Sequence, residues 1–309
     1  MRVTSAGLSE MTLGTVQLGL RYGIANKLGK PSQQTACEII ATALRLGVNS
    51  LDTARAYGDS EQIIGQRLKQ YESLKDGLAI TSKLQVQAED DAPEAVIQRE
   101  VEELCASSLQ NLGTKRLRFL LLHRASDMHK AKGAVGRAME ALIRKGMIGG
   151  AGVSVYTQQD ILEMLEYPVY TAVQLPLSVF DQRLIDSGIL EELRRRDIVV
   201  FVRSVYSQGL MLMDPDSLTH PALKEHAVPY LRQLRARCDA KGCTPVQYAL
   251  SFVRRLPAVS SLVLGADSPD QVAEDAALFD QPPMDDEEYQ VARHLFAKVP
   301  FDRIMEALR

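Results

Sequence analysis

The chain has 309 residues, and its 36 Lys+Arg and 39 Asp+Glu give a net charge of −3 at pH 7. This balance lacks the basic excess that general binding to nucleic acid or to an anionic membrane surface requires. Hydrophobic residues make up 46% and charged residues 24% of the chain, a globular composition that also excludes a disordered protein.

The four cysteines, at positions 37, 105, 238 and 243, contain no C-x-x-C pair. Their spacing is not that of a zinc site, so we expect reduced thiols and no bound metal. The N-terminal residues lack the apolar core of a signal peptide, and no apolar run reaches the roughly 18 residues that span a bilayer. These features predict a cytoplasmic protein without membrane association.

Short apolar segments alternate with longer amphipathic segments along the chain. Eight of the short segments are predicted strands, and most are near-continuous apolar runs, which is typical of parallel strands buried on both faces. The predicted strands cover residues 13–18, 49–53, 79–83, 118–123, 150–155, 172–175, 198–203 and 261–265.

Segments with helical periodicity fill most of the gaps between these strands. The first begins at Ser32, and several others also begin at a Ser or Thr that suits a helix N-cap. The remaining predicted helices cover residues 60–70, 93–112, 130–145, 158–165, 185–196, 245–254 and 269–278. An extra helix is predicted at 230–241, and a further helix with a terminal segment over 285–309.

Eight strand–helix units in a chain of this length predict an α/β fold, a single closed (β/α)8 TIM barrel over residues 1–309. The barrel is expected to carry an N-terminal extension, an extra helix after strand 7 and a C-terminal helix. A doubly wound open sheet is the alternative fold. The absence of a G-x-G-x-x-G motif after the first strand counts against it.

Polar side chains gather at the carboxyl ends of the predicted strands, where active sites of such barrels lie. They belong to Asp52, Tyr57, Lys83, His123, Ser154, Gln174, Arg203 and Ser204, and Gly265 stands at the end of the eighth strand. Lys83 and His123 each close an otherwise apolar run. Their head groups are therefore expected at the barrel mouth.

This set of side chains suggests an acid that protonates a carbonyl oxygen. A tyrosine hydroxyl, with an ordinary pKa near 10, donates protons poorly at neutral pH, but a neighbouring ammonium stabilises the phenolate and lowers that pKa. A carboxylate keeps the lysine charged, and an imidazole binds the same substrate oxygen. Asp52, Tyr57, Lys83 and His123 therefore predict a general acid. The carbonyl carbon then needs a nucleophile, and a nicotinamide hydride is one such nucleophile.

Five segments in chain order carry a resemblance to a known family. They are GVNSLDTARAYGDSE, ITSKL, LLLHR, GAGVSVY and VQLPLS. Together they resemble the aldo-keto reductase family, whose members are (β/α)8 barrels that reduce aldehydes and ketones with a nicotinamide cofactor, usually NADPH. The resemblance implies that Tyr57 is the general acid, that Lys83 and Asp52 tune it, and that His123 orients the substrate carbonyl.

The resemblance also implies a set of cofactor-binding residues. Ser154 and Gln174 match residues that hold the nicotinamide carboxamide, and RSVYSQGL resembles the family's pyrophosphate loop. Arg203 stands where many members stack an aromatic ring on the nicotinamide, so its planar guanidinium is expected to stack there or to contact the pyrophosphate. The predicted set is Gly14, Thr15, Asp52, Ser154, Gln174, Arg203, Ser204, Gln208, Gly209, Leu210, Gly265, Ala266, Gln271, Glu274 and Asp275.

The loop after the eighth strand departs from the family. Many members place Lys or Arg there against the 2′-phosphate of NADP(H), whereas residues 265–271 contain no cation and include Asp267, which would repel a phosphate. Ser268, the start of the following helix, or Arg254 and Arg255 could compensate. We therefore expect NADP(H) as the family default, with NAD(H) a serious competitor.

Two other functions are compatible with the sequence. Lys83 could be the nucleophile of a Schiff-base lyase, or the barrel could bind a nucleotide for regulation with little turnover. For the reductase, the expected substrate is a small aldehyde or ketone, with specificity set by residues 21–26, 205–229 and the C-terminal tail. The sequence indicates no oligomeric state.

Overall fold

The computed structural model describes residues 1–26, 29–70 and 77–308. Within them, eight parallel strands pair in chain order, and β1 pairs with β8 to close a barrel. The strands are β1 (Met11–Gly14), β2 (Ser50–Asp52), β3 (Ala79–Leu84), β4 (Phe119–Leu122), β5 (Ala151–Ser154), β6 (Tyr170–Pro176), β7 (Val199–Arg203) and β8 (Ser261–Gly265). The predicted (β/α)8 barrel is confirmed.

Helices connect the strands and cover the outside of the barrel. They are α1 (Val16–Gly19), α2 (Gln33–Arg45), α3 (Ser60–Leu68), α4 (Glu94–Leu112), α5 (Ala134–Arg144), α6 (Gln158–Met164), α7 (Arg183–Asp186), α8 (Ile189–Arg195), α9 (Pro221–His226), α10 (Val228–Lys241), α11 (Pro245–Arg254), α12 (Pro269–Leu278), α13 (Asp286–Phe296) and α14 (Phe301–Ala307). The extra helix and the C-terminal helix are confirmed as α10 and α13. Arg309, the end of the predicted tail, lies outside the described residues. None of the described helices has the length and apolarity needed to cross a membrane.

The prediction of a first strand over residues 13–18 is wrong. β1 ends at Gly14, and the chain turns at once into the helical turn α1. Thr15 holds this turn, because its amide and its hydroxyl both donate to the carbonyl oxygen of Asp52, at 3.0 and 2.8 Å. The apolar pattern continues past the strand because Leu18 is buried in the core, and a short apolar run does not distinguish a strand from a buried helical segment.

Two predicted helices are each divided in two. The segment 130–145 begins within the 3-10 helix Ala125–Lys132, and α5 begins after Gly133 at φ +81°. The segment 185–196 breaks into α7 and α8 at Gly188, which has φ +72°. In both places the left-handed conformation that glycine adopts without steric cost separates the helical pieces.

Side chains fill the barrel interior. Along β4, Phe119 and Leu121 belong to the inner cluster, and Leu120 packs outward against the helices, as the alternation of a strand requires. Phe119 meets Phe201 edge to face with ring centroids 5.8 Å apart. Leu8 of the N-terminal extension joins this cluster, just before β1. It therefore closes the end of the barrel opposite to the strand carboxyl ends.

The carboxyl ends of the strands form one rim. Asp52, Ser154 and Arg203 are the last residues of β2, β5 and β7, while Lys83 and Gln174 lie close to the ends of β3 and β6. Because neighbouring strands are parallel, these ends must meet on the same side of the barrel. The fold therefore brings together polar side chains that are far apart in the chain.

Candidate active site

A cavity opens at this rim. Its volume is about 1210 Å³ with the open mouth included. The predicted residues that line it are Gly14, Thr15, Asp52, Tyr57, His123, Ser154, Gln174, Arg203, Ser204, Gln208, Gly209, Gly265 and Gln271. Most of the predicted site is thus assembled around one cavity.

Lys83 lies beneath the cavity floor and is 1% exposed. Its ammonium donates to both carboxylate oxygens of Asp52, at 2.8 and 2.7 Å, and to the carbonyl of Thr53 at 3.0 Å. Burial opposes the charged form, but Asp52 and Tyr57 outweigh burial and raise the pKa of Lys83 above its ordinary value. The ammonium is therefore charged at neutral pH.

Tyr57 follows β2, and its hydroxyl lies next to the ammonium of Lys83. The ammonium nitrogen lies 3.4 Å from the Tyr57 hydroxyl, to which it donates, and 5.0 Å from the ring centroid. Unlike Lys83, Tyr57 lines the cavity. A phenol supported from below by a cation and open to a cavity above can deliver a proton to a bound ligand.

His123 follows the end of β4, and its ring meets that of Tyr57 at 85° with centroids 5.7 Å apart. Burial, followed by the charges of Lys83 and Arg203, lowers the pKa of His123 to about 4. The imidazole is therefore neutral at pH 7. Its Nδ1 has no hydrogen-bond partner within the described residues. A neutral ring donates from one nitrogen, which suits a hydrogen bond to a carbonyl oxygen.

Gln174 joins this group through Asp52. Its Nε2 donates to Asp52 Oδ1 at 2.7 Å, so the carboxylate is held by both an ammonium and a carboxamide. Ser154 lies beside it at the end of β5, is nearly buried and lines the cavity. These two polar groups at neighbouring strand ends have the hydrogen-bonding chemistry to hold a carboxamide.

The loop after β7 presents its backbone to the cavity. Ser204, Ser207 and Gln208 have φ of +61°, +49° and +57°, and Gly209 has φ +91°. Two of their N–H groups donate within the loop, that of Ser207 to the Ser204 carbonyl at 2.8 Å and that of Gly209 to the Tyr206 carbonyl at 3.0 Å, and these bonds hold the turn. The loop is braced by the segment after β1, because Ile24 N–H donates to the Gln208 carbonyl at 3.1 Å. Ser204, Gln208 and Gly209 of this fixed turn line the cavity.

Asp267, after β8, also lines the cavity. Its Oδ1 accepts from Asn26 Nδ2 at 3.1 Å, and its backbone N–H donates to Gln271 Oε1 at 2.8 Å. Burial raises the pKa of Asp267 above its ordinary value. Within the part of the chain that the structure describes, no cationic side chain contacts this carboxylate.

The expectation that Arg254 or Arg255 supplies the cation missing from residues 265–271 is wrong. Arg254 donates to the carbonyl oxygens of Leu278 and Phe279 at the end of α12, and Arg255 pairs with Asp286. Neither arginine lines the cavity. The end of α11 lies near the closed end of the barrel, because Arg254 also reaches the carboxylate of a residue that precedes β1.

Four residues predicted to bind the cofactor do not line the cavity: Leu210, Ala266, Glu274 and Asp275. Leu210 and Ala266 belong to the hydrophobic core, which leaves only their backbone for a ligand, and Glu274 is exposed outside the cavity.

Asp275 has a different role from the predicted contact with the adenine side of the cofactor. It is 3% exposed, and its Oδ1 accepts from the hydroxyl of Tyr206 at 3.1 Å. It therefore ties α12 to the loop after β7. Burial, aided by Glu274 and opposed by the Tyr206 hydrogen bond, raises the pKa of Asp275 to about 7.

The cavity is also lined by residues outside the predicted set, among them the polar residues Gln17, Tyr22, Asn26 and Tyr156. Tyr22 and Asn26 lie in the segment 21–26 that the sequence predicts to set substrate specificity, whereas Gln17 in α1 and Tyr156 after β5 lie beyond the strand ends. Tyr156 does carry a signal, because it ends the segment GAGVSVY. Gln17 is packed so closely on Gly265 that a Cβ there would lie 2.2 Å from its Oε1.

Comparisons with known proteins agree with this geometry. A family model described as the Aldo/keto reductase family matches residues 10–295. The NADH-specific methylglyoxal reductase of Escherichia coli (strain K12) is 26% identical over 301 residues, covering 89% of this chain and 90% of that protein. The uncharacterized oxidoreductase YqkF of Bacillus subtilis (strain 168) is 24% identical over 290 residues, with the same coverage of 89% and 90%.

Solved structures share the fold. The holo form of the aldo-keto reductase AKR11C1 from Bacillus halodurans has a TM-score of 0.75 at 22% identity, covering 95% of each chain. The glycerol dehydrogenase AKR11B4 from Gluconobacter oxydans has a TM-score of 0.73 at 23% identity, covering 95% of this chain and 93% of that one.

Proposed function

The chain belongs to the aldo/keto reductase family, and from this premise we propose that it reduces an aldehyde or ketone to an alcohol with NAD(P)H, Tyr57 being the general acid. One observation carries the proposal. The charged Lys83 lies 3.4 Å from the Tyr57 hydroxyl, beside a neutral His123 at the bottom of an open cavity. Aldo-keto reductases use nicotinamide cofactors, which supply the hydride when bound.

The chain's own residues bind, orient and protonate. Ser154 and Gln174 would hold the nicotinamide carboxamide, and the backbone of the loop after β7 would hold the pyrophosphate. His123 donates a hydrogen bond to the substrate carbonyl and fixes its oxygen next to the Tyr57 hydroxyl. Tyr57 passes its proton to that oxygen, and the Lys83 ammonium stabilises the phenolate left behind.

The Schiff-base alternative is disfavoured by the state of Lys83. An amine must be neutral to attack a carbonyl, whereas the Asp52 carboxylate raises the pKa of Lys83 against the effect of burial. The ammonium is also 1% exposed, beneath the cavity floor. The state of Lys83 therefore does not support a Schiff-base lyase. The second alternative, a regulatory barrel, would instead bind the nucleotide and turn over little or no carbonyl compound.

The substitution Tyr57→Phe tests the general acid. We expect kcat for aldehyde reduction to fall by about 10²–10⁴-fold, the usual contribution of a general acid, because the ring remains but the proton is lost. The dissociation constant of the nucleotide, measured by fluorescence titration, should stay near that of the wild type. Tyr230→Phe, outside the cavity, is the matched control and should retain full activity. A Tyr57→Phe enzyme with wild-type kcat contradicts the assignment.

We further propose that the enzyme prefers NADH to NADPH, because Asp267 faces the cavity and would repel a 2′-phosphate. The NADH specificity named for the Escherichia coli relative supports this preference. Asp267→Ser should lower the NADH:NADPH ratio of kcat/KM by about tenfold, which corresponds to about 1.4 kcal/mol. Asp270→Ser, an exposed position at the start of the same helix, should leave the ratio unchanged. A wild-type preference for NADPH would refute the proposal.

A further inference from the structure

The catalytic end of the cavity carries one positive charge that no carboxylate balances. Lys83 is matched by Asp52 through two contacts, and His123 is neutral because burial and nearby cations lower its pKa to about 4. Arg203, by contrast, has no carboxylate within hydrogen-bond distance among the described residues, although it lines the same cavity. A half-buried guanidinium without an anion is an expensive arrangement unless a ligand supplies one.

The guanidinium of Arg203 is directed from β7 toward the loop after β5. Its Nη2 donates to the carbonyl oxygen of Val155 at 3.2 Å, and its Cζ lies 4.4 Å from the centroid of the Tyr156 ring. A weak contact of 3.5 Å joins Nη1 to the Ser204 hydroxyl. The aromatic ring and the carbonyl fix the plane of the guanidinium, which leaves further N–H donors of its fork unused.

Two phenols share the cavity with this guanidinium. Tyr156 and Tyr22 both line the cavity and are 59% and 39% exposed. Burial raises the pKa of Tyr22, although the charge of Arg203 acts against it. Its hydroxyl therefore stays protonated and can donate a hydrogen bond. A planar cation with phenolic donors around it has the chemistry of a carboxylate receptor.

A cofactor held as proposed would place its pyrophosphate away from this guanidinium. The left-handed backbone at Gln208 and Gly209, where the pyrophosphate would lie, is braced by the segment after β1, whereas the guanidinium is directed toward β5. The nicotinamide ring carries no negative charge. The missing anion must therefore come with the substrate, whose carbonyl is proposed to lie at Tyr57 and His123.

We infer that Arg203 binds a carboxylate of the substrate, so that the preferred substrates are oxo acids, with the aldehyde or ketone a few bonds from the carboxylate. This inference rests on the proposed function and narrows its substrate class. It replaces the expected contact between Arg203 and the cofactor pyrophosphate. An arginine is suited to this role because its fork binds both carboxylate oxygens at once.

Two pairs of aldehydes test the inference: 4-formylbenzoate against its methyl ester, and succinic semialdehyde against its methyl ester. Each pair differs in the charge and keeps the reacting aldehyde. With NADH, the wild type should favour the acid in kcat/KM by at least about tenfold, as expected for a charge-assisted pair. Arg203→Met should bring this acid:ester ratio close to one, whatever its absolute rates, and Arg203→Lys should keep part of it.

Arg144→Met is the matched control, because Arg144 is an exposed residue at the end of α5 and does not line the cavity; the ratio should survive this change. A wild type that favours the esters, or an Arg203→Met enzyme that keeps the wild-type ratio, overturns the inference. In either case, reduction of the esters would still support the proposed carbonyl reduction. A wild type that reduces no aldehyde of either pair, while it binds NADH, overturns the reductase proposal and the inference together.

Discussion

At the scale of single residues, Lys83 is a buried charge that is held in place next to the Tyr57 hydroxyl. Lysine is almost never fully buried without a partner, and here its ammonium is surrounded by Asp52, the Thr53 carbonyl and the Tyr57 hydroxyl. These contacts offset the loss of water. They also hold the charge in one position, so that it acts on the phenol without titrating at neutral pH.

The pair of Lys83 and Asp52 leads to a stability prediction. Asp52→Asn leaves the ammonium buried without its counter-ion and should lower the free energy of unfolding by about 3–5 kcal/mol. Adding Lys83→Met removes the orphaned charge and should recover part of this loss, while kcat stays low. Urea denaturation measures both effects. Glu102→Gln, which breaks the exposed pair with Lys145, is the control and should cost less than about 1 kcal/mol.

The prediction fails if the double variant is no more stable than Asp52→Asn alone, because the cost would then not arise from the unpaired lysine. Equal losses in Asp52→Asn and in the exposed control would also contradict it. Both outcomes would mean that burial does not determine the strength of this pair.

At the scale of elements, the turn that carries Tyr57 is fixed by its contact with α1. A Cβ added to Gly19, the last residue of α1, would lie 1.7 Å from the carbonyl oxygen of Tyr57. On the facing side, Gly58 has φ +57°, and its Cβ would lie 2.5 Å from the Gly19 carbonyl. Two glycines therefore let two backbones approach closely, and this approach sets the height of the phenol above Lys83.

Gly19→Ala should therefore displace Tyr57, the proposed acid. In an open helix this change would stabilise the protein by about 1 kcal/mol, but here the methyl group must push the Tyr57 turn away. We expect kcat to fall about 10²-fold, as a shift of about 1 Å in a catalytic group can cause. Steady-state kinetics measures the change. Gly136→Ala in α5, whose Cβ would have its nearest neighbour at 3.4 Å, is the control; an unchanged kcat in Gly19→Ala would argue against the contact.

At the scale of the whole molecule, one buried carboxyl couples stability to pH. Asp275 joins α12 to the loop after β7 through the Tyr206 hydroxyl, and its Oδ2 has no partner within the described residues. Burial raises its pKa to about 7 from an ordinary value of 3.8. A carboxyl whose pKa is raised by folding stabilises the fold when protonated. Its contribution is full below about pH 4 and is lost as the pH rises through about 7.

Asp275→Asn keeps the acceptor for Tyr206 and removes the titration. Between pH 5 and pH 8 the wild type should lose about 2–3 kcal/mol of unfolding free energy from this group, whereas the variant should not. The variant should thus gain stability over the wild type as the pH rises, as measured by urea denaturation at the two values. A difference between the two proteins that is the same at both pH values would refute the linkage.

Much of the architecture was predictable from the chain. The alternation of apolar runs and amphipathic segments is a local property of the sequence. A chain in which buried parallel strands alternate with helices can adopt few folds other than this barrel. Asp52, Lys83 and Ser154 were identifiable as candidates because polar residues that close apolar strands are unusual. The first strand was misplaced because the residues that end it, Thr15 and Asp52, interact across two strands.

The remaining features depend on contacts between distant parts of the chain, which no local pattern records. Gln174 reaches Asp52 across 122 positions. Asp275 and Arg254 are turned away from the cavity because the packing of α12 gives them other partners. Local periodicity and the polar residues at strand ends depend only on neighbouring residues in the chain. The sequence alone therefore predicts the barrel and Tyr57 as its acid. The unpaired charge of Arg203 becomes visible only after folding, because the absence of a partner is a property of three-dimensional space.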